Sequence, residues 1–569
     1  MATTLKKTNV VIVGLGAAGG VACLPLAQAG IEVIGLDAGP RLSTRDMAPD
    51  ELRLSRNAWP PGPQKTHMEA PTFRPNASAT AVQGAHPMMN AVGGTSIHYW
   101  AQSWRLNPWD FKVRSETIRR YGASRVPKGS TVEDWPFDYD ELESYYDKVE
   151  YAIGVSGKAG NLNGKKDERG NIFEAPRKRE FPMPPLRSTG FSERMAAAAK
   201  SLGWHPAPGP AAIASKSFDG RAGCAYHGFC SGAGCHVNAK SSTAVTTIPK
   251  AEKTGKFTVV AEARVTKIEV DRNGRASGVT YVREGEEYFQ PADVVLVAGY
   301  VYENVRLLLI STSTAYPRGL SNNHGQVGRH YFSHNQGAAV SARFPFDLNN
   351  WYGLPAQGVG VDNWADDNFD HSGLDFIGGG NMWVYTERRP IASVNGVAQW
   401  FGNRPLWGSA WKAFVKENAD RTNGAYLQKT TLPYEDNYLD LDPGVKDPFG
   451  VPVVRITGEF KDNEKKIALF MHDKMEQWYR TAGAIDFRRA EVANAMGPTT
   501  HAYGGTRMGQ NPETNVVNAW GFSHEVPNLG ILGGSVMGTS GARNPTLTLQ
   551  AIAWRTAEHL ARNWKTVAQ

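Results

Sequence analysis

A mixed α/β fold is predicted by this sequence: a Rossmann-like domain, discontinuous along the chain, with a second domain of antiparallel sheet and helices inserted into it. Three observations predict it. The first 37 residues read strand, glycine turn, helix, strand, acid. A second β-branched run, PADVVLVAG, returns only at 291–299. The length, 569 residues and 62.1 kDa, calls for two or more joined domains.

VVIVGLGAAGG begins with a buried strand from Val10 to Val13 and turns at Gly14, with a helix expected from about Ala17. Gly14 permits the tight turn, Gly16 lets backbone approach a pyrophosphate, and Gly19 lets helix and strand pack closely. The helix N-terminus offers N–H groups and partial positive charge to phosphates. Gly30 suits the position after the helix, and Pro25 should kink it. IEVIGLD ends at Asp37, 23 residues after Gly14, where a carboxylate can accept from a ribose 2′-hydroxyl. Residues 8–31 carry no charge, but the glycines divide them into a strand and a helix. A buried domain start is therefore expected in place of a signal peptide or spanning helix.

Hydrophobic residues make up 41% and charged ones 21%, as in globular proteins, and the charge of +7 is thinly spread. The densest basic run, PRKRE at 176–180, is expected to be a solvated loop. No basic stripe points to nucleic acid, and no stretch is apolar enough to span a membrane. No repeats occur.

The opening motif alone leaves NAD and FAD open. FTVVAEARVTKIEVDRNGRASGVTYV, 257–282, alternates like antiparallel strands with a turn at Asn273-Gly274 before the parallel strand at 291–299. A dinucleotide unit interrupted by such a meander suggests a flavoprotein layout. The cofactor domain is accordingly expected at 1–45, 85–110, 210–340 and 485–569, and the substrate domain at 111–209 and 341–484, with 46–84 connecting or lidding them. Aromatic runs in the second insert (NNWYGLP, NMWVYTE, QWFGNRPLWGSAW) suit stacking on sugar faces as well as ordinary packing.

NAVGGTSIHYWAQSWRL at 90–106 places Gly93 and Gly94 ahead of Ser96 and His98, a turn that can bring backbone against a flat ring system. In SGARNPTLTLQAIAWRTAEHLARN, 540–563, Asn544 is expected as N-cap and Pro545 as first helical residue. Leu549, Ile552, Thr556 and Leu560 then follow helical spacing. This helix start, with Thr546, can stabilise negative charge on a reduced flavin. THAYGGTRMG at 500–509 carries His501 before a glycine pair and Arg507, read as an ion-pair member. NLGILGGSV, 528–536, resembles the last strand of flavin-binding domains, a resemblance that implies binding by the Gly534 and Ser535 amides, with Val265 of the meander expected as a further contact.

Three of four cysteines fall within GCAYHGFCSGAGC, 223–235. A disulfide would strand one thiol, and the paired CxxC units of a zinc ribbon are absent. Cys224, His227, Cys230 and Cys235 could still form a Cys₃His zinc site. Closely spaced thiolates in a glycine-rich loop also suit an iron–sulfur cluster. Cys23 reads as a core residue.

VGGTSIH, THAYGG and the Asn544 segment together resemble the glucose–methanol–choline (GMC) family of flavoprotein oxidoreductases. The resemblance implies FAD as cofactor, His501 and Asn544 as catalytic pair, and His98 as the position where several members attach the flavin covalently. Many members carry a second histidine where this chain has Asn544, and Asp where it has Gly533. WRLNPWDFKVRS, VSGKAGNLNG, NFDHSGLDFIGGG and NYLDLDP are similar to the branch of gluconate 2-dehydrogenases and related sugar-acid and polyol dehydrogenases, over nearly the whole chain. That branch implies a cluster held by the cysteine loop. His227 replaces a further cysteine of those relatives, and the remaining C-x5-C-x4-C set of Cys224, Cys230 and Cys235 suits [3Fe–4S].

The implied activity is oxidation of a secondary hydroxyl of a sugar, sugar acid or polyol by hydride transfer to flavin N5, with electrons leaving through the cluster. Implied partners are a cytochrome c acceptor and a small companion subunit bearing an export signal. They would place the protein in the bacterial periplasm, membrane-associated through those partners; a cytoplasmic location is the alternative. Rival readings are an oxygen-using carbohydrate oxidase and a non-catalytic flavin-fold binding subunit.

Overall fold

The computed structural model describes residues 2–47, 51, 70–334, 338–387, 389–391 and 407–568. Of the connecting segment expected at 46–84, residues 48–50 and 52–69 lie outside the described residues, as do 399–406 of the aromatic run QWFGNRPLWGSAW.

Val10, Val11 and Ile12 are fully buried in the strand Thr8–Val13, as a β-branched run between parallel neighbours requires. Val33–Leu36 pairs with it on one side and residues 292–297 on the other. The strands Phe257–Val260 and Leu529–Ile531 extend this parallel sheet at its two ends. The helix expected from Ala17 begins at Gly19 and runs to Gln28. It is buried on nearly every side and lies against the C-terminal helix Thr546–Arg562. Gly30 follows it at φ +82°, the left-handed conformation that ends helices.

Two assignments differ from expectation. Phe257–Val260 is not the first strand of the antiparallel meander but a parallel strand beside Val33–Leu36. It is an edge strand, with Phe257 buried, Thr258 exposed and both valines half-buried, a partial exposure that an antiparallel strand also shows. The run at 291–299 is the second half of one strand, Glu286–Val297. Its first half pairs antiparallel with Ala276–Arg283 and its second half parallel with Thr8–Val13. One continuous strand thus ties the meander to the dinucleotide sheet.

The second domain is built on a six-stranded antiparallel sheet in the order Asp486–Arg489, Ala338–Arg343, Thr422–Lys429, Gly380–Val384, Val359–Val361, Pro206–Pro208. The helices Gly190–Ser201 and Asp462–Thr481 cover one face, burying Met195, Ile467, Met471 and Trp478 in a core of their own. The helix Tyr139–Ile153 lies elsewhere. It packs on the C-terminal helix, where the Tyr146 and Thr548 hydroxyls are 2.8 Å apart.

PRKRE is not a solvated loop throughout. Arg177 is 1% exposed, ion-paired with buried Glu150, and its guanidinium lies 3.6 Å from the Phe181 ring centroid. Glu150 also takes Arg105 at 2.8 Å, so one carboxylate holds two buried guanidinium groups. No described helix is long and apolar enough to cross a membrane.

The glycine turn yields a stability prediction. Gly14 has φ +91°, and a Cβ there would stand 2.7 Å from Ala298 O. Gly14→Ala should cost about 1–3 kcal/mol, read as a lowered midpoint of thermal unfolding; an unchanged midpoint would show that the turn relaxes freely.

Candidate active site

A cavity of about 600 Å³ runs along the C-terminal edge of the parallel sheet. Two glycine turns meet at its floor: a Cβ on Gly94 would lie 2.8 Å from Gly16 Cα. Gly14, Gly16, Asp37, Gly94, Ser96, His98, Val265, Gly534 and Thr546 all line it. Gly19, Gly93 and Ser535 do not. Gly19 serves helix–strand packing, since a Cβ would stand 2.0 Å from Gly14 O. Gly93, at φ +100°, shapes the second turn against Ala244. The Ser535 hydroxyl accepts from Asn304 Nδ2 at 2.9 Å, behind the wall.

Asp37 accepts from Leu15 N and Gly39 N, both at 2.9 Å, which braces the glycine turn against the second strand. Burial nonetheless raises its carboxyl to about 7. Ser96 Oγ donates to Gly93 O at 2.5 Å, at the start of the short 3₁₀ turn that delivers His98 to the cavity. The 17-residue C-terminal helix opens directly on the cavity at Thr546. These features, a glycine cradle and a helix N-terminus on one elongated cavity, fit a dinucleotide such as FAD.

Asn544 is not the cap of that helix. The helix begins at Thr546, Pro545 precedes it, and Asn544 makes no capping bond. Its side chain turns to the cavity instead, with Nδ2 3.4 Å from His501 Nε2 and Oδ1 unbonded among the described residues.

The short strands Phe332–Ser333 and Ala502–Tyr503 pair antiparallel, which sets His334 beside His501. His334 Nε2 faces Gly541 O at 3.0 Å. A carbonyl only accepts, so this nitrogen carries the proton. Burial, aided by the neighbouring His501, lowers His334 well below the usual histidine range, so its Nδ1 is bare. His334 Nδ1 lies 3.2 Å from His501 Nδ1 and 3.2 Å from Tyr503 Oη. The Tyr503 hydroxyl can donate to the same lone pair, but two bare nitrogens at that distance would repel, so His501 presents Nδ1–H to His334, which leaves the His501 Nε2 lone pair facing Asn544 and the cavity. Burial lowers His501 to about 3, keeping it neutral.

The segment carrying Asn544 is also held by the inserted domain. Asp366 Oδ1 accepts from Ala542 N at 3.0 Å, and Arg543 pairs with Asp362 at 2.9 Å. Arg507 lies apart from the cavity, paired with Glu133 at 2.9 Å. His334 and Asp366 carry no local motif, and their partners lie 167 and 176 residues away. Sequence reasoning therefore had no signal for them.

Cys224, Cys230 and Cys235 line a second, small cavity together with His227, while Ser231 and Gly232 of the same loop line the main one. Trp100, two residues past His98, donates to Ser231 Oγ at 2.8 Å. Buried Lys240 donates to Cys230 O at 2.8 Å and Ala233 O at 2.9 Å, and Glu387 accepts from Cys230 N at 2.5 Å. Tyr226 N donates to Cys224 Sγ at 3.4 Å. Burial raises the Cys230 thiol to about 12. Among the described residues no three His, Cys, Asp or Glu side chains are grouped as ligands of one metal ion. Cys23 is buried in the core of the first helix.

Family models described as GMC oxidoreductase match residues 73–336 and 433–553. The chain is 32% identical to gluconate 2-dehydrogenase flavoprotein of Pantoea cypripedii, over 99% of this chain and 95% of that protein. It is 27% identical to the fructose dehydrogenase large subunit of Gluconobacter japonicus, over 99% of this chain and 100% of that one. Among solved structures, formate oxidase of Aspergillus oryzae superposes with a TM-score of 0.63 at 15% identity, covering 100% of both chains, a likeness of fold.

The hydrogen-bond directions are testable by ring-nitrogen NMR of histidine-labelled protein. His501 should be the neutral Nδ1–H tautomer across about pH 5 to 8. A proton on Nε2 would reverse the directions assigned here.

Proposed function

The chain belongs to the GMC oxidoreductase family, and on that premise we propose that it is a dehydrogenase oxidising a secondary hydroxyl of a sugar, sugar acid or polyol. As a member of that family it is an FAD-dependent oxidoreductase acting on alcohol groups. The observation carrying the proposal is the bare Nε2 of His501, aimed into the cavity beside Asn544 Nδ2.

An alcohol oxygen between these two nitrogens donates its proton to His501 Nε2 and accepts from Asn544 Nδ2. His334 holds the His501 Nδ1 proton and so keeps the ring from turning its bare nitrogen away. The contact from Asn544 fixes the carbinol, orienting its C–H bond for transfer. The Gly14–Gly19 turn, the Gly94 turn, Val265, Gly534 and Thr546 would hold FAD, which would supply the acceptor for the carbon-bound hydride. His98 lines the cavity wall and would be the residue for a covalent attachment of the flavin.

The cysteine loop is read as the electron exit. A [3Fe–4S] cluster on Cys224, Cys230 and Cys235 would accept electrons singly. Supporting this, the three thiols share one small cavity, a backbone amide already donates to Cys224 Sγ, and the same loop walls the main cavity through Ser231 and Gly232. A ligated thiol is deprotonated, so the metal would have to overcome the raised affinity of Cys230 for its proton. The relatives' names, a flavoprotein and a large subunit, support companion subunits. A cytochrome c acceptor, a small subunit with an export signal and a periplasmic site complete the proposal.

His501→Ala should reduce flavin reduction by substrate about 10²–10⁴-fold while leaving flavin bound; near-normal reduction removes His501 from the mechanism. Because burial holds the folded-state His501 near 3, the neutral, proton-accepting form persists as pH falls through the ordinary histidine range. kcat/KM should accordingly stay flat from about pH 8 down to 5, with no acid limb near about 6.5. Absorption and EPR spectra of anaerobically purified protein should show flavin with an iron–sulfur signal. Flavin without that signal, and peroxide formed on sugar turnover, would establish an oxidase in its place.

A further inference from the structure

His501 Nε2 and Asn544 Nδ2 engage one hydroxyl, yet the same cavity holds polar groups that this contact leaves idle. Gln102 lines the wall at 5% exposure, and its Nε2 has no hydrogen-bond partner among the described residues. Gln428 lines the wall too, and its buried Oε1 is equally unpartnered. Gln102 Nε2 braces nothing among the described residues, and the Gln428 side chain hydrogen-bonds only the His334 ring. An unpaired buried polar atom is unfavourable, a penalty that a ligand hydroxyl can relieve.

The two glutamines come from different domains and are brought together by packing. Gln102 follows Ala101, whose φ of +65° turns the chain, and its backbone bridges Ala211. Gln428 lies in the strand Thr422–Lys429, paired with Asn381, and points to the same face as Tyr426 two residues earlier. Tyr426 meets Trp100 edge-on at 4.9 Å, two residues from Gln102. Gln428 also hydrogen-bonds His334, the residue that orients His501. The amides therefore belong to the end of the cavity where the alcohol reacts.

We propose that Gln102 and Gln428 are specificity-determining residues that hydrogen-bond a second hydroxyl of the substrate, selecting polyhydroxylated compounds over monohydric alcohols. A carboxamide both donates and accepts, as a hydroxyl does, so each glutamine can serve a sugar oxygen in either sense. A monohydric alcohol would leave Gln102 Nε2 and Gln428 Oε1 unpaired, and such sites reject ligands that lack the matching hydroxyl. The inference rests on the reading of the site as an alcohol-oxidising one.

The test uses holoenzyme, wild type beside Gln102→Leu and Gln428→Leu, assayed with an artificial electron acceptor on glucitol, gluconate and fructose. For whichever of these the wild type oxidises, KM should rise about tenfold in each variant, the loss of a hydrogen bond of about 1.4 kcal/mol. Bound flavin, measured by its absorption, should stay at the wild-type level. An unchanged KM, or flavin lost with the glutamine, overturns the proposal; the second result would make these residues part of the cofactor site. Should Gln102→Leu not fold, Gln428→Leu, whose side chain is only partly enclosed, decides alone. A wild type that oxidises none of the three would instead overturn the sugar and polyol reading itself, an outcome separable from failure of the glutamine subsite.

Discussion

A histidine nitrogen that faces a backbone carbonyl can only donate, and the bond from His334 Nε2 to Gly541 O imposes that constraint on everything beyond it. Because His334 is buried and neutral, its other nitrogen can only accept. His501 must then protonate the nitrogen that faces His334, and its free lone pair falls on the cavity side. The same carbonyl belongs to the segment that carries Asn544, so one bond positions both members of the pair. Asp366, reaching from the inserted domain to Ala542 N, fixes the segment from the other side. The direction of the bond at His501 is thus set by a residue that lies behind it and away from Asn544.

The second constraint is proximity. The loop with Cys224, Cys230 and Cys235 is a wall of the main cavity as well as of its own, through Ser231 and Gly232. Lys240 and Glu387, both tied to backbone atoms at Cys230, hold the loop in that shared position. Trp100 extends the tie to the turn that carries His98. The loop's place on both walls leaves little protein between the main cavity and the thiols.

Elements whose periodicity is local were legible. The opening strand, the glycine turn, the helix C-terminus at Gly30 and the turn at Asn273-Gly274 each obey rules that operate within a few residues. Errors arose where two environments produce the same pattern. Phe257–Val260 is partly exposed because it is an edge strand, and partial exposure cannot tell a parallel edge from an antiparallel meander. Asn544 before Pro545 has the chemistry of an N-cap, but the hydrogen bond that a cap would make is given up for a place beside His501. Arg177 sits in a basic run typical of solvated loops, and only the distant Glu150 draws it inside.

By itself, the sequence determined the dinucleotide turn, the candidate residues His501 and Asn544 and the concentration of thiols, because each depends on atoms linked through a few covalent steps. Tertiary structure alone decided which nitrogen of His501 is bare, what Asn544 faces and which orphaned amide atoms share its cavity. Those outcomes follow from sheet pairing between segments far apart in the chain, such as Phe332–Ser333 against Ala502–Tyr503. A hydrogen bond has a direction only once both of its partners are in place, and no spacing along one strand can supply the second.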